Sequence, residues 1–156
     1  MKLLEASAGA FRFQLSRQEK ILLTELLKLY PALPASYHRL TKSADAAASE
    51  HQQLLEEALA AQKRAGKEQL LALLSDPQRF QENETGHRLT LDAPQVEGLL
   101  QALNEVRVGS WVQLGSPTPE SHPPIELSAQ TVRHYAVMEL CGLFEGVLLG
   151  AVDGGS

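Results

Sequence analysis

A mainly α fold, a compact helical bundle with a short two-stranded β-ribbon, is what this sequence predicts. Three observations carry the expectation. Leu and Ala dominate an apolar content of 44% while aromatics reach only 5%, a bias toward helix formers. Two segments begin with a polar residue, followed three positions later by Glu or Gln and then by apolar residues at helical spacing. Only two short runs alternate apolar and polar residues as half-buried strands do. At 156 residues the chain has the size of one domain with a core of its own, so residues 1–156 are read as one unit.

The first strand is Phe11-Arg12-Phe13-Gln14-Leu15. Ser16 follows, with Glu19 three positions on: the hydroxyl can accept from one free helix amide while the carboxylate reaches back to another. The helix so started carries Leu22, Leu23, Leu26, Leu27 and Tyr30 at 3.6-residue spacing, and Pro31 and Pro34 end it. A second helical stretch runs from near Ser43 to Leu74. Leu54, Leu55, Ala58 and Leu59 form one apolar patch and Leu70, Leu71, Leu73 and Leu74 another, with Gly66 between them as an expected kink or break. Asp76-Pro77 closes the stretch, and 78–87 reads as a polar loop.

Arg88-Leu89-Thr90-Leu91 alternates again, and Asp92 with Gln95 repeats the cap spacing, Pro94 being tolerated in a first turn. A shift of 76 residues places Phe13 on Leu89, Leu15 on Leu91, Leu23 on Leu99 and Leu27 on Leu103. Either the two strands pair and two long helices leave the ribbon, or two amphipathic helices with ordinary caps coincide. The third helix runs from about Ala93 to Leu114. Residues 115–127, with Pro117, Pro119, Pro123 and Pro124, form an exposed connector. Ser128 is a good N-cap for a last helix that continues to about Gly150, and residues 153–156 are expected to fray.

That last helix is apolar on nearly every side from Val132 to Val152, close to the roughly 20 residues of a membrane span. Arg133, His134, Glu139 and Glu145 interrupt it, and charge is costly in a bilayer, so a buried central helix fits better and no membrane is expected. Gly142, Gly146 and Gly150 recur every fourth residue. A mid-helix glycine costs roughly 1 kcal/mol relative to Ala, although Gly150 can serve as the C-terminal cap. A stripe without side chains lets another backbone come close. Gly98, Ala102 and Gly109 make the third helix the expected neighbour of Gly142 and Gly146; the alternative is the same stripe on a dimer mate.

The net charge of −5 is uneven: residues 1–76 carry ten Lys and Arg against nine Asp and Glu, whereas 77–156 carry four against ten. An acidic second half repels phosphates, so nucleic acid is not an expected partner. The cluster Lys63, Arg64 and Lys67 reads as the solvated end of a helix. A single cysteine, Cys141, excludes an internal disulfide and fits a reducing compartment. Lys2-Leu3-Leu4-Glu5 gives no apolar core for a signal peptide, and the expected location is cytoplasmic. Among His38, His51, His87, His122 and His134 there is no i,i+4 pair; Glu84-x-x-His87 occurs once, beside Gly86, and no Cys-x-x-Cys exists. Neither a metal site nor a cofactor is therefore expected. The sequence has no phosphate loop, nucleophile elbow or dinucleotide fingerprint, and Cys141 sits in the apolar helix, where a core role is commoner than a nucleophilic one.

One polar cluster remains. Asn104, Arg107 and Trp111, with Glu105 beside them, are spaced i, i+3 and i+7 on one face of the third helix. An Asn in mid-helix points to a specific hydrogen bond, and Arg and Trp are enriched where partners anchor. Either these residues form a ligand pocket or partner anchor, or Arg107 pairs internally with Glu139 or Glu145 while Trp111 fills a core edge.

The turn Leu103-Asn104-Glu105-Val106-Arg107-Val108, with Leu91-Asp92 and Leu99 ahead of it, resembles an uncharacterised helical family of unknown function, best represented in actinobacteria. Its members open with a short strand leading into a Leu-rich helix and later repeat that arrangement. The family typically reads Leu-Asn-Asp-Leu-Arg-Leu here; Asn104 and Arg107 match, while Val106 and Val108 depart conservatively. The resemblance carries no assigned activity. Some members are labelled regulators, and some are similar to products encoded near an adaptor of the Clp protease, which implies protein interaction. Without a basic recognition helix, a DNA-binding regulator is the least favoured outcome. The expectation is a protein-interaction or assembly module without catalytic activity, acting as a homodimer. Its rival is a sensor or enzyme that holds an anionic ligand on Arg107.

Overall fold

The structure, a computed structural model, describes residues 1–34, 46–118, 120 and 128–154. In chain order it contains strands β1 (Lys2–Ser7) and β2 (Ala10–Leu15), helices α1 (Arg17–Lys28) and α2 (Ala46–Ser75), strands β3 (Phe80–Asn83) and β4 (Gly86–Asp92), and helices α3 (Ala93–Gln113) and α4 (Ala129–Gly154). Two ββαα units thus follow one another, and helix takes up more than half of the chain.

The expected ribbon exists, but as the centre of a larger sheet. β2 and β4 pair antiparallel, with Phe11 opposite Leu91, Phe13 opposite Leu89 and Leu15 opposite His87. β1 and β3 add a strand on each side, giving a four-stranded antiparallel order β1-β2-β4-β3. The two outer strands escape a period-two search for different reasons. In β1 the register shifts between Leu3 and Glu5, so apolar residues on either side of the bulge fall out of alternation. β3 is a short polar edge strand in which only Phe80 is buried, so 78–87 is not one continuous loop. Ala8 and Gly9 join β1 to β2 with positive φ values of 51° and 78°, the two-residue turn whose twist suits paired strands. Gly86 opens β4 at φ 143°, where a Cβ would lie 2.2 Å from the Leu15 carbonyl oxygen; only glycine fits.

Both expected helix starts are capping boxes. The Ser16 hydroxyl accepts from the Glu19 N–H at 3.1 Å while the Ser16 N–H donates to the Glu19 carboxylate at 2.9 Å. Asp92 and Gln95 repeat the arrangement at 2.8 and 2.9 Å. Ser128 and Thr131 do the same for α4: the Thr131 N–H donates to Ser128 Oγ at 3.2 Å and the Ser128 N–H to Thr131 Oγ1 at 2.7 Å.

Alternation along β2 and β4 sends Phe13, Leu15, Leu89 and Leu91 to one face, where all four are fully buried. Leu23, Leu26 and Leu27 of α1, Leu70, Leu73 and Leu74 of α2, Val96, Leu99, Leu103 and Val106 of α3, and Cys141, Phe144 and Leu148 of α4 complete that core. α1 packs on β2 and α3 on β4, whereas α2 packs on β3 and α4 on β1. Each unit's second helix therefore covers the other unit's outer strand, which ties the two units into one core.

Several boundaries differ from the sequence reading. α2 runs through Gly66 without a break; Tyr30 Oη lies 4.0 Å from where a Cβ would stand there. Leu54 and Leu55, expected as an apolar patch, are 63% and 59% exposed. α4 continues to Gly154, so Asp153 is helical rather than frayed. Of the expected connector, residues 119 and 121–127 lie outside the described residues, as do His38, Ser43 and His122.

Candidate functional site

α4 is the element on which the sequence placed most weight, and α3 is its neighbour as expected. The buried residues of α4 are Cys141, Phe144, Glu145, Leu148 and Ala151, a single stripe at spacings of three and four. The glycines lie elsewhere. Nothing among the described residues comes within 4 Å of a Cβ built at Gly142, Gly146 or Gly150, nor at Gly98 on α3. The expected close approach of α3 to Gly142 and Gly146 is therefore absent. Gly109 serves a different neighbour: a Cβ there would meet the Ala32 Cβ at 2.7 Å. The outward side of α4 is apolar, with Leu143 67%, Leu149 49%, Val132 48% and Val152 43% exposed. An all-round buried helix was expected; the chain buries one face of it. By length and composition α4, 26 residues at a mean hydropathy of 1.6 in its most apolar window, is long and apolar enough to cross a membrane, yet its inner stripe belongs to the domain core.

Asn104, Arg107 and Trp111 share a helix face in sequence but not a site. Asn104 is exposed and borders a cleft between α2 and α3. Arg107, about half exposed, lies 4.0 Å from Glu145 on α4, which is the internal pairing weighed above. The Trp111 indole N–H donates to the Pro117 carbonyl at 3.0 Å and fastens the turn that follows α3. Glu145 is buried, and its Oε1 has no hydrogen-bond partner among the described residues. Burial holds this carboxyl above the usual range, with Arg107 pulling the other way. Burial, then Glu145, push the neighbouring Cys141 thiol up to about 12 despite Arg107, so it remains protonated at neutral pH and is no nucleophile.

The buried polar contact that the sequence did not announce is Lys63 with Glu105. Both are nearly enclosed, and the ammonium donates to Glu105 Oε1, joining α2 to α3. Glu105 Oε2 also accepts from the Ala32 N–H at 3.1 Å, which pins the chain leaving α1. Lys63 is thus not the solvated helix end it was expected to be, whereas Arg64 is exposed. Burial, and then the charge of the same Glu105 carboxylate, raise the pKa of the Tyr30 phenol. The pair sits at the wall of a cleft of about 980 Å³, which Leu33, Leu59, Leu70 and Leu73 line on one side and Gln95, Gly98, Gln101 and Asn104 on the other. The signal for it was present: Glu105 lies between Leu103 and Val106 on a face that must be buried. No group of three or more His, Cys, Asp or Glu placed to hold a metal ion occurs among the described residues.

The fold and these contacts define a mainly helical domain made of two interlocked ββαα units over one antiparallel sheet. Residues 29–152 match the family described as Domain of unknown function (DUF2017), and the chain belongs to that family. The matched stretch takes in the Lys63–Glu105 pair, the Asn104–Arg107 turn and all but the end of α4. No curated protein and no solved structure matches the chain.

Proposed function

We propose that this domain is a cytoplasmic protein-interaction module, without catalytic activity of its own, that assembles as a homodimer through the outward face of α4. One observation carries the reading: a helix that contributes Cys141, Phe144 and Leu148 to the core leaves Leu143, Leu149, Val132 and Val152 in solvent. Large apolar side chains left exposed along one helix, here with Arg133 and Glu139 also exposed between Val132 and Leu143, are a common mark of an interaction site. The open glycines support it. Gly142 and Gly146 each sacrifice roughly 1 kcal/mol of helix propensity relative to Ala, and nothing among the described residues packs against them to compensate. A second copy of the helix laid along Gly142 and Gly146 does, because backbones approach closely where side chains are missing.

The test is the mass in solution, by sedimentation equilibrium over a range of concentrations. Wild type is expected to dimerise and Leu143→Glu to remain monomeric with unchanged circular dichroism. A wild-type chain that stays monomeric at the highest concentration removes the reading. The rival use of Arg107 for an anionic ligand is weakened by its carboxylate neighbour, Glu145.

A further inference from the structure

The geometry points to a second site, on the face of the sheet that the helices leave open: a receptor for a phosphoryl oxyanion, formed by Arg12, Arg79, Arg88 and Thr90. The residues that alternate away from the core put Arg12 opposite Thr90 and Gln14 opposite Arg88 across β2 and β4. On the far side of β4 the Thr90 N–H donates to the Arg79 carbonyl at 2.9 Å, one step beyond the Phe80–Leu89 pair. Thr90 is therefore flanked in its own row by Arg12 of β2 on one side and by Arg79, the residue just ahead of β3, on the other. Arg88 lies two residues along β4 on the same face, diagonal to Arg12.

These residues do not lie on a flat surface. Arg12, Arg79, Arg88 and Thr90 line one depression of about 480 Å³ together with Gln78 and Gln81. Every polar side chain there can donate a hydrogen bond, and none is a carboxylate. Arg12 has a carboxylate partner outside the depression, Glu5 on β1, at 2.6 Å. Arg79 and Arg88 have none within 4.0 Å among the described residues, in a chain that carries 19 Asp and Glu against 14 Lys and Arg. Like charges on neighbouring strands repel, so three arginines lining one depression weaken the sheet unless something negative sits among them. Guanidinium geometry matches the oxygens of a phosphoryl group in paired hydrogen bonds, and the Thr90 hydroxyl offers a further donor. The same chemistry is presented by inorganic phosphate and by a phosphate ester of a small molecule.

Amide chemical shifts of the full chain, titrated at constant ionic strength with inorganic phosphate and separately with ribose 5-phosphate, test the site. Saturable shifts confined to residues 78–81 and 88–90, and to the β2 residues around Arg12, are expected with one or both; the ligand that binds more tightly names the source. Arg79→Gln and Arg88→Gln should each weaken binding about tenfold, the scale of a lost charge-assisted hydrogen bond, while the melting temperature without ligand does not fall, since each variant removes a repelling charge. Glu5→Gln releases Arg12 from its competitor and should tighten binding, so one variant moves opposite to the others. The assignment is overturned if neither ligand gives saturable shifts, if the arginine variants bind as wild type does, or if Glu5→Gln fails to tighten binding.

Discussion

Phe13 and Leu89 face each other across the β2–β4 junction and are also equivalent positions of the two ββαα units. The register pairs each residue with the one whose number completes 102, and equivalence links residues 76 apart; only 13 and 89 satisfy both. A local two-fold axis therefore passes between these two side chains, and both are fully buried. The exchange of α2 onto β3 and of α4 onto β1 follows the same axis.

Cutting either side chain back should show how much the fold depends on that centre. Phe13→Ala is expected to cost about 3–5 kcal/mol and Leu89→Ala about 2–5 kcal/mol in urea melts. Because the residues touch the same space, the double variant should depart from additivity by about 0.5–3 kcal/mol. Strict additivity would mean that the two units hold separate cores.

Lys63 and Glu105 call for a different expectation, since a buried charge that loses its partner is worse than no charge. Lys63→Ala should destabilise by about 3–5 kcal/mol, leaving the Glu105 carboxylate enclosed. Lys63→Met with Glu105→Gln keeps volume and an acceptor for the Ala32 N–H, and it should recover much of that loss. If Lys63→Ala melts with wild type, the pair does not hold α2 on α3.

The parts of this architecture that were legible in the sequence are those written in short-range chemistry. Ser16 with Glu19 and Asp92 with Gln95 fix two helix starts through groups three residues apart, and Phe13, Leu15, Leu89 and Leu91 reveal the central strands by alternation. β1 and β3 were illegible because a bulge breaks one pattern and the other strand is polar and held by its neighbours. Lys63 and Glu105 are 42 residues apart, and the basic run around Lys63 looks solvated until α3 is laid beside it. Asn104 attracted attention as a poor helix former, yet the adjacent Glu105 is the buried residue. The glycines of α4 suggested close packing against α3, yet nothing among the described residues lies within 4 Å of a Cβ at Gly142 or Gly146, because spacing along one helix does not say which side of it the neighbour covers.

Glu145 gives the fold a pH dependence whose sign can be worked out. Burial raises its pKa in the folded chain above the ordinary value of 4.5. Where both states are protonated, below that value, it carries no penalty; as pH rises through the folded pKa, a carboxylate must ionise in a buried place and stability is lost. Glu145→Gln removes the ionisation and keeps the shape. Its denaturation midpoint should exceed that of wild type at neutral pH, and the difference should shrink toward zero as pH falls to about 4. Arg107, half exposed, offsets only part of the penalty. Identical differences at both pH values would show that folding does not raise the Glu145 pKa.

Gly146 separates an open helix face from a covered one by the sign of a single substitution. In the isolated chain a Cβ at this position meets nothing within 4 Å among the described residues, so Gly146→Leu should gain up to roughly 1 kcal/mol from helix propensity. In a dimer whose mate lies along the glycines, the same leucine enters occupied space, and overpacking costs about 1–3 kcal/mol. Because only the dimer contains that contact, the penalty must grow with protein concentration. Urea melts of wild type and variant, below and above the concentration at which wild type dimerises, should therefore cross: the variant is more stable when dilute and less stable when concentrated. A variant more stable than wild type at both concentrations would place the dimer contact away from Gly146.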